Sequence, residues 1–210
     1  MEGVHPPTPV YAPSTLLLAA PRSPNRRDRD HLMSDTTETQ PTWLAEDELA
    51  TMRGKMPVVY INAIPVLVDD IGIVTHIGLL MRLGADGEVN REIVSGRILY
   101  GERVRDALLR HLEKDLGPLA LPRIPPSPQP FTVVEYFPNP DITGFYDPRQ
   151  HAVSLAYVVP IEGDCKPSQD ALDLVWLRPD EVTSPTVAVE LSPGHEKLVR
   201  RALAHVGRLP

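Results

Sequence analysis

The window from Gly96 to Gly117, GRILYGERVRDALLRHLEKDLG, constrains this chain more than any other stretch of it. Glu102 follows Gly96 by six residues, Arg110 follows Glu102 by eight, and Gly117 closes the run. On an ideal helix of about 3.6 residues per turn, His111 and Asp115 lie one turn apart and Lys114 lies about 60° from His111. The three side chains therefore project together. Gly96 and Gly117 read as backbone positions, where the missing Cβ permits a tight turn or a helix C-terminus.

Around this window the chain reads as one domain with a tail. Its 210 residues, 42% hydrophobic and 23% charged, suffice for a real core. A net charge of −7 argues against general affinity for nucleic acid or anionic membrane, because such binding rests on Lys and Arg neutralising phosphates. One cysteine, Cys165, excludes an internal disulfide and a cysteine-rich metal site, which suits a reducing compartment and makes the cytoplasm the simplest location. The apolar run from Leu16 to Ala20 is too short to span a bilayer and lacks the basic residues of a signal peptide.

Residues 1–40 are rich in proline and polar residues, a composition that cannot offset the entropy of ordering, so disorder is expected there. Met33 is an alternative start. The arginines at 22, 26, 27 and 29 read as part of a solvated tail. A domain is expected over 41–207, opening with a short helix capped by Thr42 and carrying Leu44, Leu49 and Met52. VVYINAIPVLVDD and HIGLLMRL read as strands joined through Asp69, Asp70 and Gly72, a hairpin signature, and another turn follows at Ala85, Asp86 and Gly87. FTVVEYF, HAVSLAYVV and LDLVWL read as further strands. The connections LPRIPPSPQP and PNPDITGFYDPRQ are proline-stiffened loops of the kind that carry function. A last helix is expected from about His195, with Leu198, Val199, Ala202, Leu203 and Val206 on one stripe. Strands interrupted by one helix and closed by another suit an α+β sandwich.

The framework of Gly96, Glu102, Arg110 and Gly117 resembles the Nudix box, the strand-loop-helix element of hydrolases that cut nucleoside diphosphates linked to another group. The flanks fit as well: LLMRL, ending near Arg82, precedes the box, and Trp176-Leu177-Arg178-Pro179-Asp180-Glu181 follows it. The likeness covers about Val58 to Val206 and implies a Nudix-like α/β/α sandwich with a mixed sheet, an α+β fold. More closely, the chain is similar to a bacterial Nudix-like family with a VSGRxLYGE form of the box, from which no activity follows.

In the family, three box positions carry glutamates that bind Mg²⁺ or Mn²⁺; here they are His111, Lys114 and Asp115. A hard divalent cation prefers carboxylate oxygen, so the resemblance implies a metal site built on Asp115, His111 and Glu102 that is weak, or absent if the box is inactive. His111 with Asp115 suits a softer ion such as Mn²⁺ or Zn²⁺, with Glu135, Asp147 and His151 as further candidate ligands and Glu113 on another face. Hydrolysis would assign catalytic roles to Glu102, Arg110, His111 and Asp115, although Glu102 and Arg110 also read as an ion pair that shapes the loop. The alternative is a catalytically impaired domain that binds a nucleotide or a protein partner, with Lys114 neutralising phosphate beside Arg82 and Arg97. Phe145 and Tyr146 either stack on a nucleobase or pin their loop, Tyr146 being the substrate-binding candidate. Trp176 reads as core, and Cys165 shows no sign of a nucleophile. The implied partner is a small nucleotide derivative, and the resemblance adds a homodimer.

Overall fold

Seven strands of the computed structural model form one mixed sheet among the described residues, which are 43–84, 87–142, 145–167, 171–192 and 194–210. All of them belong to the compact unit Thr39–Pro210. The tail with Met33 and its arginines, the cap expected at Thr42 and the turn residues Ala85 and Asp86 lie outside the described residues.

The elements run α1 (Glu46–Arg53), β1 (Val58–Val68), β2 (Val74–Leu83), β3 (Val89–Glu92), β4 (Val94–Arg97), α2 (Val104–Leu116), β5 (Thr132–Tyr136), β6 (Ala152–Pro160), β7 (Ala171–Leu177), α3 (Pro179–Val182), α4 (Pro185–Glu190) and α5 (His195–His205). Strand β1 is the hub. It pairs antiparallel with β4 through Tyr60 to Ala63, antiparallel with β2 from Val66 onward, and parallel with β6 along Val58 to Val66. Beyond these, β5 pairs with β6, and both β3 and β7 pair with β2.

Pro65 sits inside this hub strand, a position that would normally cost a ladder hydrogen bond. Odd residues of β1 face the β4 and β2 side, as the Ile98 N–H to Val59 carbonyl bond shows, whereas the Val66 carbonyl accepts from Ile161 on the β6 side. Pro65 therefore faces the interval where β4 has ended at Ala63 and β2 has not yet begun at Val66. No ladder partner is lost.

Strand alternation sends two apolar faces to two helices. Ile61, Ala63, Leu80 and Val94 pack on Ala107, Leu108, Leu112 and Leu116 of α2. Ile64, Val66, Ile77 and Leu79 pack on Leu198, Val199, Ala202 and Leu203 of α5. Burying each Val, Leu or Ile among them contributes about 1.5–3 kcal/mol, and each Ala less, so the two stripes hold both helices on the sheet. The result is the expected α+β sandwich, helix on sheet on helix.

Several details differ from expectation. α1 starts at Glu46, and Glu48 accepts the Ala45 N–H, so the cap falls later than Thr42; of its apolar residues only Leu49 is buried. Strand β3 emerges where sequence showed no element, and β4 is the strand that the strand-loop-helix resemblance implied at Gly96. The segment after Trp176 carries two short helices, α3 and α4. Among the described residues, no helix is long and apolar enough to cross a membrane.

Candidate functional site

The box occupies β4, the loop after it, and α2. Within β4, successive residues face opposite ways: Ser95 lines an open cavity, and Gly96 lies under α2 against His111. A Cβ on Gly96 would stand 1.8 Å from His111 Cε1 and 2.3 Å from each ring nitrogen. Gly96 is thus demanded by the close approach of a ring rather than by a turn, which corrects the sequence reading. Gly117 does end the helix, at φ 89°, with its N–H on the Glu113 carbonyl at 2.9 Å.

Glu102 and Arg110 clip the loop to the helix. Arg110 donates from Nε to Glu102 Oε1 at 2.6 Å and from Nη2 to Oε2 at 2.7 Å, and Oε2 also accepts the Leu99 N–H at 2.9 Å. The Arg97 carbonyl accepts from Arg110 Nη2 and His111 Nε2, both at 3.0 Å. Burial would raise the Glu102 carboxyl, but the hydrogen bonds and charge of Arg110 and the Leu99 N–H outweigh it and hold it below its ordinary value. His111 is pushed down by burial and by the Arg110 charge, against the pull of the Arg97 carbonyl. A carbonyl can only accept, so the proton sits on Nε2, and Nδ1 is left buried without a partner.

Asp115 is 1% exposed. Its Oδ1 stands 2.8 Å from Arg82 Nη2, and Arg82 Nε stands 3.4 Å from Glu92 Oε2. Neither contact is aligned as a hydrogen bond, for Arg82 Nε and Asp115 Oδ1 both lack one.

A divalent cation needs several oxygen or nitrogen ligands with free lone pairs converging on one point. Glu102 spends both oxygens on Arg110, the free nitrogen of His111 lies along the ring edge against Gly96, and Asp115 faces a guanidinium. As arranged, these three residues do not fit the ion that sequence assigned to them. Among the described residues no group of three or more His, Cys, Asp or Glu converges to hold one. The further candidates are also apart from them: Glu135 stands 3.7 Å from His151, Glu113 is exposed, and Asp147 pairs with Arg149.

The cavity beside Ser95 has a volume of about 580 Å³, within the range of small-molecule sites. Its lining draws on both helices, with Lys114 from α2 and His195 from α5. One end carries Arg82, Glu92, Lys114, Ser192 and His195; Ser192 donates to Glu92 at 3.0 Å. Burial, aided by the Arg82 charge, pushes His195 down to about 4, so its ring is neutral near pH 7. The floor is Tyr60, Asn62, Tyr136 and Ser154, and the rim is the loop Tyr146 to Gln150. Asp147 binds Arg149 through both oxygens and accepts from Gln150.

Of the candidates for substrate contact, Arg82, Lys114 and Tyr146 line this cavity. Arg97 does not. Its guanidinium lies 5.1 Å from the Trp43 ring centroid, which removes it from the expected role. Phe145 is buried in the core edge-on to Tyr136, pinning the loop that presents Tyr146. Sequence reasoning missed Glu92, His195, Asn62 and Ser154. For the last two a signal existed: each is a polar residue on the inward phase of a strand that is otherwise apolar.

A family model described as domain of unknown function DUF4916 matches residues 39–208. Among solved structures, one from Jonesia denitrificans, described as a possible asymmetric diadenosine tetraphosphate hydrolase, is 58% identical, with 74% of this chain and 98% of that chain covered and a TM-score of 0.73. The Nudix domain of Shewanella oneidensis NrtR, solved with ADP ribose, is 17% identical over 78% of this chain and 99% of that one, TM-score 0.53. A Nudix hydrolase from Nitrosomonas europaea is 14% identical over 74% and 93%, also at 0.53. No curated protein matches. These likenesses establish the fold as Nudix-like.

Proposed function

Because the chain belongs to the DUF4916 family and folds as a Nudix-like domain, we propose that it binds a nucleoside diphosphate linked to another group, without using the box for metal-dependent hydrolysis. One observation carries this reading: Arg82 and Lys114 line the same cavity, while Asp115 is held by Arg82. Arg82 and Lys114 suit a pyrophosphate directly, through charge-assisted hydrogen bonds that would replace the contacts of Arg82 to Asp115 and Glu92, while the third cation of the lining, Arg149, is paired with Asp147. Arg82 is available for exchange, since its contacts to Asp115 and Glu92 are unaligned and an incoming phosphate oxygen offers a better acceptor.

The test is calorimetric titration of ADP, ADP-ribose and inorganic pyrophosphate in the presence of a chelator. Binding should survive chelation, and Lys114→Ala should weaken it by about 10-fold or more. Binding that vanishes with chelator, or phosphate release that needs Mg²⁺ or Mn²⁺ and stops in Asp115→Ala, would sink the proposal.

A second reading, hydrolysis with acids from outside the box, is favoured by Glu92, Asp147 and His195 around the same cavity, and by the description given to the Jonesia relative. It predicts turnover of nucleotide derivatives that survives Asp115→Ala and is lost in Glu92→Gln.

A further inference from the structure

The cavity floor contains a group that the protein itself leaves unsatisfied. Ser154 has no exposed surface, and its Oγ has no hydrogen-bond partner. Buried polar atoms are nearly always paired, because an unpaired one forfeits its water without compensation. Ser154 lies between Ala152 and Ala156 on the inward phase of β6; Ala152 and Ser154 belong to the cavity lining although both are buried. Its cross-strand partners are Tyr60 on β1 and Val134 on β5.

The two phenols of the floor have a fixed polarity. Tyr136 Oη accepts from Asn62 Nδ2 at 3.3 Å, and Tyr60 Oη accepts from Gln150 Nε2 at 3.0 Å. Amide N–H groups only donate, so each phenol is used as an acceptor and keeps its own proton to give. Among the described residues no side chain takes either proton. Burial of Tyr136 keeps it in the phenol form far above neutral pH. The floor thus holds three uncharged hydroxyl groups, while the cations of the lining are Arg82, Lys114 and, on the rim and paired with Asp147, Arg149.

Resting on the reading that phosphate binds those cations, we infer that Ser154, Tyr136 and Tyr60 bind the acceptor edge, carbonyl oxygens or ring nitrogens, of the nucleobase. A cation is unsuited to three donors, and the anionic part of the ligand is already placed at Arg82 and Lys114 by the phosphate reading. A ribose diol is ordinarily held by a carboxylate, and the one beside this floor, Asp147, is already spent on Arg149 and Gln150. Tyr146 on the rim adds a flat aromatic face of the kind on which bases stack.

The experiment compares the wild-type chain with Ser154→Ala and Tyr136→Phe, each removing one oxygen, by calorimetric titration of ADP, UDP and inorganic pyrophosphate. For the nucleotide that wild type binds more tightly, affinity should fall about 5- to 10-fold in each variant, with pyrophosphate affinity unchanged. Ser154→Ala should also raise the melting temperature of the free protein, since it deletes an unsatisfied group, so weaker binding cannot be assigned to a damaged fold. Unchanged nucleotide affinity in both variants overturns the inference and leaves the phosphate site standing. So does a wild type that binds pyrophosphate as tightly as either nucleotide. A wild type that binds neither pyrophosphate nor nucleotide overturns the phosphate reading and this inference together.

Discussion

Two ion pairs tie α2 to its surroundings, and they are built in opposite ways. Glu102 and Arg110 meet fork to fork, with the Leu99 N–H and the Arg97 carbonyl completing the set. Asp115 and Arg82 are as close in distance, yet their atoms are out of line and partly unpartnered. The first pair is closed: every group has what it needs, and it fixes the loop. The second is open, a charge contact without an aligned hydrogen bond whose guanidinium lines a cavity. Along one helix, then, two acid–arginine contacts that sequence could treat alike divide into a closed clip and an open contact beside a cavity.

The sharpest way to break that contrast is to remove each acid. Glu102→Ala should cost about 3 kcal/mol, because it strands a bonded Arg110 beside the loop, whereas Asp115→Ala should cost only about 1 kcal/mol, since Arg82 can turn to Glu92. Urea unfolding of both variants decides it, and equal losses would abolish the distinction.

A somewhat smaller effect is expected from acid. His195 is held at about 4 when folded against an ordinary 6.5, so between those values the unfolded chain binds the extra proton and stability rises with pH. Its contribution is complete above about pH 6.5 and lost as pH falls toward 4. His111, also lowered, acts in the same sense, while Glu102 and Asp147, lowered as carboxylates, lose theirs only at more acid pH. Between pH 7.5 and 5 the unfolding free energy should drop by about 2 kcal/mol, and His195→Gln should flatten most of that slope; an unchanged slope would mean that the ring is solvated.

The smallest effect tests the closed pair from outside. Trp43 is exposed and stacks near Arg97 and Arg110, at 5.1 and 5.3 Å. Trp43→Ala should cost about 0.5–1 kcal/mol and leave nucleotide binding untouched. A change in binding would connect the two pairs after all.

The fold was largely legible because glycines, a helical stripe and long β-branched runs each leave a strong local trace. Strand β3 left none, being four residues long and defined by its partner, and β4, equally short, was implied only through the box that opens at Gly96. At the site, the framework of Gly96, Glu102, Arg110 and Gly117 could be read as spacing, and so could the shared projection of His111, Lys114 and Asp115. What spacing could not convey was occupancy: that His111 lies on Gly96, that Arg82 has taken Asp115, and that Arg97 has turned to Trp43. Those are contacts between segments far apart in sequence. Asn62 and Ser154 were visible as letters, but their meaning depends on which face of the sheet stays uncovered.

The parallel pairing of β1 with β6 has a consequence for how the chain is made. The hub strand, Val58–Val68, is synthesised long before its parallel neighbour, Ala152–Pro160. Until that neighbour leaves the ribosome, one long apolar edge of the hub strand has no ladder, and the cavity floor lacks Ser154, which β6 supplies. Folding through so distant a pairing is slow, and an uncovered edge is a template for misassembly. Nascent chains halted before residue 152 should therefore lean on chaperones in a way that chains halted after residue 160 do not.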